Sequence, residues 1–457
     1  MLKISLKSII KEASGLMDKW LDYQTYLNEL PGLAVGIFVD NEIVFQKKYG
    51  YADLEVKKKF TNQHLFRIAS HSKLFTATAI MILYKEGKLS LDDKVTKYLP
   101  WFTSENDENL QDITIRHLLT HTSGLSCDGK KDYVGKNETL NLEELKIQLK
   151  EGLSVSKTNE VVKYSNIGYV LLGQIIEAIS QQEFGLFIQT KILDPLEMSN
   201  TYIDVSEKNR SLHVVGYGTK YPREDRERFS LYPSKLFQPA AGLCSTVSDL
   251  IKFYQAHLFG NDILLPDDLK REMQRIQVKM GNNIRGLGFE LSNNPEGKIA
   301  GHTGGEVGFR SKSGFFQDKK VIIVVFCNAT NIGIEGFFYG LCHLVETLDS
   351  MKNIFLQDSE SSLDFSEIAG LYDSLKGWGP ELFSQIKSKL VLLNPENKYP
   401  GNSMQILEHK KGFVFTPTKE SPIAKPGENI EFIKNKLGET ILLDSKKGEH
   451  KRFEYSY

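Results

Sequence analysis

Cysteine is scarce. The 457 residues hold four, Cys127, Cys244, Cys327 and Cys342, each isolated. None stands at the spacing that grips a metal ion, and the apolar settings of Cys327 and Cys342 predict buried thiols. An excess of either charge is missing too: 57 Lys and Arg against 58 Asp and Glu leave a formal net charge of -1. No basic field exists to hold nucleic acid or an anionic membrane, so the expected partner is a small or peptidic molecule. Long apolar runs are absent as well. VIIVVFC at 321–327 is far too short to cross a bilayer. The first twenty residues are interrupted by Lys and Glu, unlike the core of a signal peptide. Their apolar members Leu6, Ile9, Ile10, Leu16, Met17 and Leu21 recur at helical spacing and predict an amphipathic helix. A cytoplasmic, reduced protein is the expectation. Metal-ligand clusters, phosphate-cradling or dinucleotide loops and a Gly-x-Ser-x-Gly elbow are all lacking, so no metal or cofactor is implied and an α/β-hydrolase is disfavoured.

What is present is an ordinary globular balance, 40% hydrophobic and 25% charged, in a chain long enough for two or three domains. Residues 33–49 read as two β runs around Asp40-Asn41, a hairpin signal. A stretch from Ser70 to about Glu86 is apolar on nearly every side, predicting a buried helix with Gly87 beyond its end. Residues 113–125 and 166–182 predict further helices, separated by a polar loop near 128–137. Residues 203–235, charged and dotted with Tyr and Pro, predict a long surface excursion. Strand signals return at 284–291, 298–303, 307–316 and 320–327, then a helix at 332–354. The pattern is α+β: one antiparallel sheet flanked by helices plus an all-α region. A polar, acidic linker at 355–366 leads into short β runs at 367–457, the signature of a small antiparallel barrel or sandwich.

Three segments carry chemistry. Ser70-His71-Ser72-Lys73 is a Ser-x-x-Lys motif, and positions three apart share a helix face at about 5–6 Å. The amine can hydrogen-bond the hydroxyl or, when neutral, take its proton. The pattern recurs at Ser8, Ser154 and Ser384. Only Ser70 stands where strand becomes a buried helix, in which Lys73 is an expensive charge without a polar site to receive it. Tyr164-Ser165-Asn166 precedes another apolar helix. A phenol beside an ammonium loses its proton more easily than in water and can serve as general base, while Asn166 can hold Lys73 and a substrate amide. Gly301-His302-Thr303-Gly304-Gly305 ends a strand signal, where small residues allow close backbone approach and strand-like pairing with an extended substrate. His121-Thr-Ser-Gly in the helical region reads as structural.

Ser70-x-x-Lys73, Tyr164-Ser-Asn166 and His302-Thr-Gly304, in that order, resemble the three motifs of the serine β-lactamase and penicillin-binding-protein superfamily. The flanking KLFTATAIMILYKEGKLSLDDKVTKYLP, TIRHLLTHTSGL and PAAGLCSTVSDLIKF look like its class C branch, which also contains D-aminopeptidases, D-alanyl-D-alanine carboxypeptidases and esterases. The resemblance covers roughly residues 25–350. It implies a β-lactamase-like domain over 1–355, with Ser70 acylated, Lys73 and Tyr164 sharing proton transfer, and Asn166, His302, Thr303, Gly304 and Gly305 binding substrate. Backbone N–H groups of Ser70 and Gly305 would form the oxyanion hole. Many members carry Lys where this chain has His302, whose charge titrates near pH 6.5; this shifts the expected substrate from β-lactams toward small peptides, D-configured ones foremost, or small esters. Residues 367–457, opening on Gly370-Leu-Tyr372, resemble the lipocalin-like barrel that in some relatives restricts the active-site mouth or builds homo-oligomers. The alternatives are a penicillin-binding-like receptor or scaffold that traps an acyl group without turnover and, less favoured, a true β-lactamase.

Overall fold

The computed structural model describes residues 4–130, 140–294, 297–356, 364–374, 379–419, 429–435, 438–444 and 448–455. The expected hairpin forms from Gly32–Val39 (β1) and Glu42–Gly50 (β2). Asp40 and Asn41 between them both take positive φ, 44° and 69°, as the tightest right-twisting turn requires. Six more strands complete the large sheet: Val278–Met280 (β3), Asn283–Arg285 (β4), Glu290–Asn294 (β5), Gly297–Glu306 (β6), Phe309–Phe316 (β7) and Val321–Cys327 (β8). Their order is β2-β1-β8-β7-β6-β5-β4-β3. VIIVVFC of β8 is buried at every position, which explains its unbroken apolar run. The single strand expected at 284–291 is two strands. Gly286 and Gly288 separate them where added β carbons would stand 2.1 Å from the Met273 carbonyl and 2.6 Å from the Ala77 side chain.

The helix after Ser70 runs from Ser72–Lys85, buried over its first twelve residues, with Gly87 at φ 69° closing it. The expected helix at 166–182 forms as Asn166–Ser180, and that at 332–354 as Ile334–Met351. The helix expected at 113–125 is only Ile115–Leu119. His121 and Gly124 turn the chain at φ 60° and 76°, and a β carbon on Gly124 would meet the Ser156 carbonyl at 2.1 Å; close packing overrides the local helical pattern. Of the loop near 128–137, only its start lies among the described residues. Among them, no helix is long and apolar enough to cross a membrane.

The chain forms two compact units. One comprises Ala34–Gly36 and Tyr51–Ile334 and holds all three motifs. The other comprises Met1–Leu33, Ile37–Gly50 and Glu335–Tyr457. In it, eight strands from Gly370–Ser374 to Gly448–Phe453 close into an antiparallel barrel, resolving the barrel-or-sandwich alternative. Tyr372, Phe383, Phe415, Phe432 and Leu442 fill a single core cluster there. The helix Ser14–Leu27 belongs to this unit. Its Trp20 Nε1 donates to the Asn397 carbonyl (3.3 Å), its Gln24 Nε2 to the Pro395 carbonyl (2.6 Å), and Tyr455 donates to Asp22 (2.8 Å).

Candidate active site

The nucleophile motif is delivered by a strained turn. Phe66–Arg67 pairs with Cys244–Ser245 as a short antiparallel ladder, and the Ile68 N–H donates to the Leu243 carbonyl. Ala69 then takes φ 48°, a left-handed conformation that a residue with a β carbon adopts at a cost. One turn of tighter helix, Ala69–His71, passes into the helix from Ser72. Ser72 Oγ locks the turn, donating to the Ala69 carbonyl (2.7 Å) and accepting from the Leu243 N–H (3.0 Å). Ser70 is left partly exposed, and Lys73, one turn on, is fully buried.

The second motif is held from behind. Ser165 caps the helix Asn166–Ser180 by accepting from the Gly168 N–H and donating to the Ser126 carbonyl. His121 accepts from the Ser165 N–H through Nδ1 (3.1 Å) and from the Lys163 N–H through its carbonyl. Its ring packs 4.4 Å from that of Tyr164. The His-Thr-Ser-Gly string is therefore a structural element, one that seats the phenol.

The three side chains converge. Tyr164 Oη donates to Ser70 Oγ at 2.7 Å, and Lys73 Nζ lies 3.3 Å from the same oxygen. Lys73 Nζ also donates to Asn166 Oδ1 (2.6 Å) and to the Ala240 carbonyl (2.8 Å). Burial, opposed by the nearby Cys127 and Asp128, lowers the Lys73 pKa to about 7. Burial also raises that of Tyr164 well above the usual phenol range. This reverses the expectation that the ammonium makes the phenol the readier base: desolvation outweighs the charge, and the amine is the group that loses its proton near neutral pH.

The third motif lies on β6, paired with β7 so that His302 faces Ser313, Thr303 faces Lys312 and Gly304 faces Ser311. Gly304 permits the close approach of this strand to the nucleophile turn. A β carbon there would stand 2.2 Å from Ser311 Oγ, 2.3 Å from the Ile68 carbonyl and 3.0 Å from His71 Nδ1. Gly304→Ala is therefore expected to push β6 off the turn, costing about 1–3 kcal/mol of stability and about 100-fold in activity; thermal unfolding and turnover assays of the variant check both. His71 ties the same surfaces, its Nε2 meeting Ser313 Oγ (2.6 Å) and its Nδ1 meeting Ser311 Oγ (3.1 Å). Gly305 is exposed.

His302 departs from its expected character. It is buried, and burial lowers its pKa to about 4, so it is neutral at pH 7. Its Nδ1 meets the Thr303 carbonyl at 2.7 Å. Positive charge comes instead from residues the sequence reading passed over. Arg285 Nη1 lies 3.2 Å from Glu290 Oε1, and Lys312 Nζ donates to Glu290 Oε2 (2.9 Å) and Thr303 Oγ1 (2.8 Å). Burial alone would raise Glu290, but His302, once protonated in acid, together with the Lys312 and Arg285 cations holds it far below the usual carboxylate range. With two cations, one anion and a neutral imidazole, this cluster carries about one net positive charge. The excursion at 203–235 is not wholly a surface feature either: Arg67, buried, donates to the Tyr232 carbonyl (2.7 Å) and to Ser234 Oγ (2.5 Å).

A helix-flanked antiparallel sheet bearing this hydroxyl–amine–phenol cluster defines the β-lactamase-like class of serine hydrolases. The β-lactamase family profile matches residues 21–333, and the chain belongs to that family. Among curated relatives it is 31% identical over 312 residues to penicillin-binding protein 4* of Bacillus subtilis, covering 63% of this chain and 66% of that one. It is 27% identical over 278 residues to protein flp of Staphylococcus aureus, covering 60% of this chain and 54% of that one. The match thus spans between about half and two thirds of these relatives' length. Among solved structures, the octameric penicillin-binding protein homologue from Pyrococcus abyssi aligns over 96% of this chain and 99% of its own, with TM-score 0.62 and 24% identity. A D-stereospecific amidohydrolase from Streptomyces sp. aligns over 69% and 94%, with TM-score 0.60 and 23% identity. At such identities the structures attest the fold.

Proposed function

We propose that the protein is a serine hydrolase that forms an acyl-enzyme on Ser70 and acts on small peptides, D-configured ones foremost, or on small esters. The observation that carries this reading is the pair of contacts on Ser70 Oγ, from Tyr164 Oη at 2.7 Å and Lys73 Nζ at 3.3 Å. A neutral Lys73 has two hydrogens and one lone pair. Asn166 Oδ1 and the Ala240 carbonyl accept the hydrogens, which turns the lone pair toward Ser70. Lys73 then takes the hydroxyl proton as Oγ attacks the substrate carbonyl carbon. Tyr164 passes a proton on to the departing amine or alkoxide and is replenished from Lys73. The backbone N–H groups of Ser70 and Gly305 receive the developing oxyanion, and Thr303 Oγ1 with the cationic cluster orients a polar group of the substrate. Water attacks the acyl-enzyme by the reverse proton path.

A base that must be neutral sets the pH dependence. Below about pH 7 Lys73 holds its proton and cannot accept that of Ser70, so kcat/KM is expected to rise with pH through about 7 and then level off. Neither His302 nor Tyr164 titrates in that range. A profile flat from pH 5 to 9 contradicts Lys73 as base. The reaction itself is tested with D- and L-aminoacyl p-nitroanilides, p-nitrophenyl acetate and nitrocefin. An ester burst equal to the enzyme concentration, followed by steady turnover, is expected; absence of both on every substrate overturns the proposal.

The remaining assignments belong to the same reading. The buried free thiols of Cys244, Cys327 and Cys342 favour a reducing, cytoplasmic setting. The likeness to an octameric homologue favours a homo-oligomer. Residues 1–355 would carry the hydrolase and 367–457 the lipocalin-like barrel.

A further inference from the structure

Asp128 supplies a feature that the three motifs do not. Asn166 Nδ2 donates to Asp128 Oδ1 at 2.6 Å, while Asn166 Oδ1 accepts from Lys73 Nζ at 2.6 Å. The amide is thereby committed at both ends within the enzyme: its oxygen to the amine, one of its N–H groups to a carboxylate. The backbone fixes this geometry, because the Asn166 and Ile167 N–H groups both donate to the Cys127 carbonyl, at 2.8 and 3.1 Å. Asp128 is therefore held beside the start of the helix Asn166–Ser180. It is half-buried, and its carboxylate also has the Cys127 thiol as a hydrogen-bond partner, a weak donor that leaves it able to accept a stronger one. Cys127 Sγ, 3.8 Å from Asn166 Nδ2, is a weak acceptor, so the carboxylate is the stronger acceptor of the two beside the Asn166 amide.

We infer that the Asp128 carboxylate receives the free α-ammonium of an aminoacyl substrate, so that the enzyme prefers acyl groups with an unblocked amine over N-acylated ones. The inference rests on the acyl-enzyme reading above and names the acyl group that Ser70 takes. A carboxylate accepts and cannot donate; it complements an ammonium and opposes the carbonyl oxygen of an N-acyl group. Charge favours the same choice. With Lys73 neutral, Asp128 is a half-buried carboxylate that no cation among the described residues pairs with, and a substrate ammonium compensates it. An ammonium also offsets the field by which Asp128 raises the Lys73 pKa, so binding keeps Lys73 in its proton-accepting form.

The test compares D- and L-alanine p-nitroanilide with their N-acetyl counterparts on the full chain, with p-nitrophenyl acetate as a substrate that has neither group. In the parent enzyme the free-amine substrate of the preferred configuration is expected to exceed its N-acetyl form in kcat/KM by about 10- to 100-fold, the range of one charge-assisted hydrogen bond. Asp128→Ala removes the acceptor and frees the Asn166 donor, so the ratio should fall below one; Asp128→Glu should retain a ratio above one. Mere damage to the site lowers both substrates together and leaves the ratio where it was, which counts against the assignment. A parent enzyme that turns over p-nitrophenyl acetate but shows no free-amine preference overturns the inference and spares the hydrolase reading. Failure on all substrates removes both.

Discussion

Ser70→Ala is expected to lower turnover of every ester and amide substrate by about 10³- to 10⁶-fold, as loss of a nucleophile does in enzymes whose catalytic groups act as a unit. It should also abolish covalent labelling by a fluorophosphonate or penicillin probe. The hydroxyl accepts from Tyr164 and sits against Lys73, and no other described serine shares that pair of neighbours. Folding should be little affected, because Ser70 is partly exposed and the turn is locked by Ser72 rather than by Ser70. Intact-mass measurement after probe treatment, beside circular dichroism of the variant, provides the check. A probe adduct on the alanine variant at the parent's stoichiometry would place the nucleophile elsewhere.

Lys73→Met should cost about 10²- to 10⁴-fold in kcat, the range for loss of a general base, and should erase the limb near pH 7. It has a second consequence with a defined sign. The lysine pKa is about 7 in the folded protein against 10.5 as its ordinary value. Between these values the unfolded chain binds more protons than the native one, so stability rises with pH, by up to about 1.4 kcal/mol per unit for one group. Below about pH 7 both states are protonated and this dependence vanishes. Methionine carries no proton to lose. The parent should therefore gain on the order of 2 kcal/mol relative to Lys73→Met between pH 7 and pH 9. Chemical denaturation of both proteins at the two pH values measures this. Parallel stability curves would show that Lys73 titrates as an ordinary lysine.

The parts of the site that were legible in sequence are those where one residue type does one chemical task at a fixed local spacing. Ser70 and Lys73 are a helical turn apart, and Tyr164 and Asn166 straddle a cap residue. Gly304 stands where two backbones meet. The residues that were missed act through space. Asp128 is 38 positions from Asn166, and Ala240 contributes to Lys73 a carbonyl oxygen that every residue possesses. Arg285, Glu290 and Lys312 look, in the sequence, like the charged face of solvated strands. Their pairing is a consequence of β-sheet register.

Taken alone, the sequence determined most of the elements, their α+β order, the closing run of short strands and the three motifs themselves, because hydrophobic period and glycine placement are local constraints. The tertiary structure decided the protonation pattern. It buries Lys73, Tyr164 and His302 far enough to lower the amine and the imidazole and raise the phenol. Desolvation depends on what surrounds a side chain in three dimensions, so no spacing along the chain encodes it.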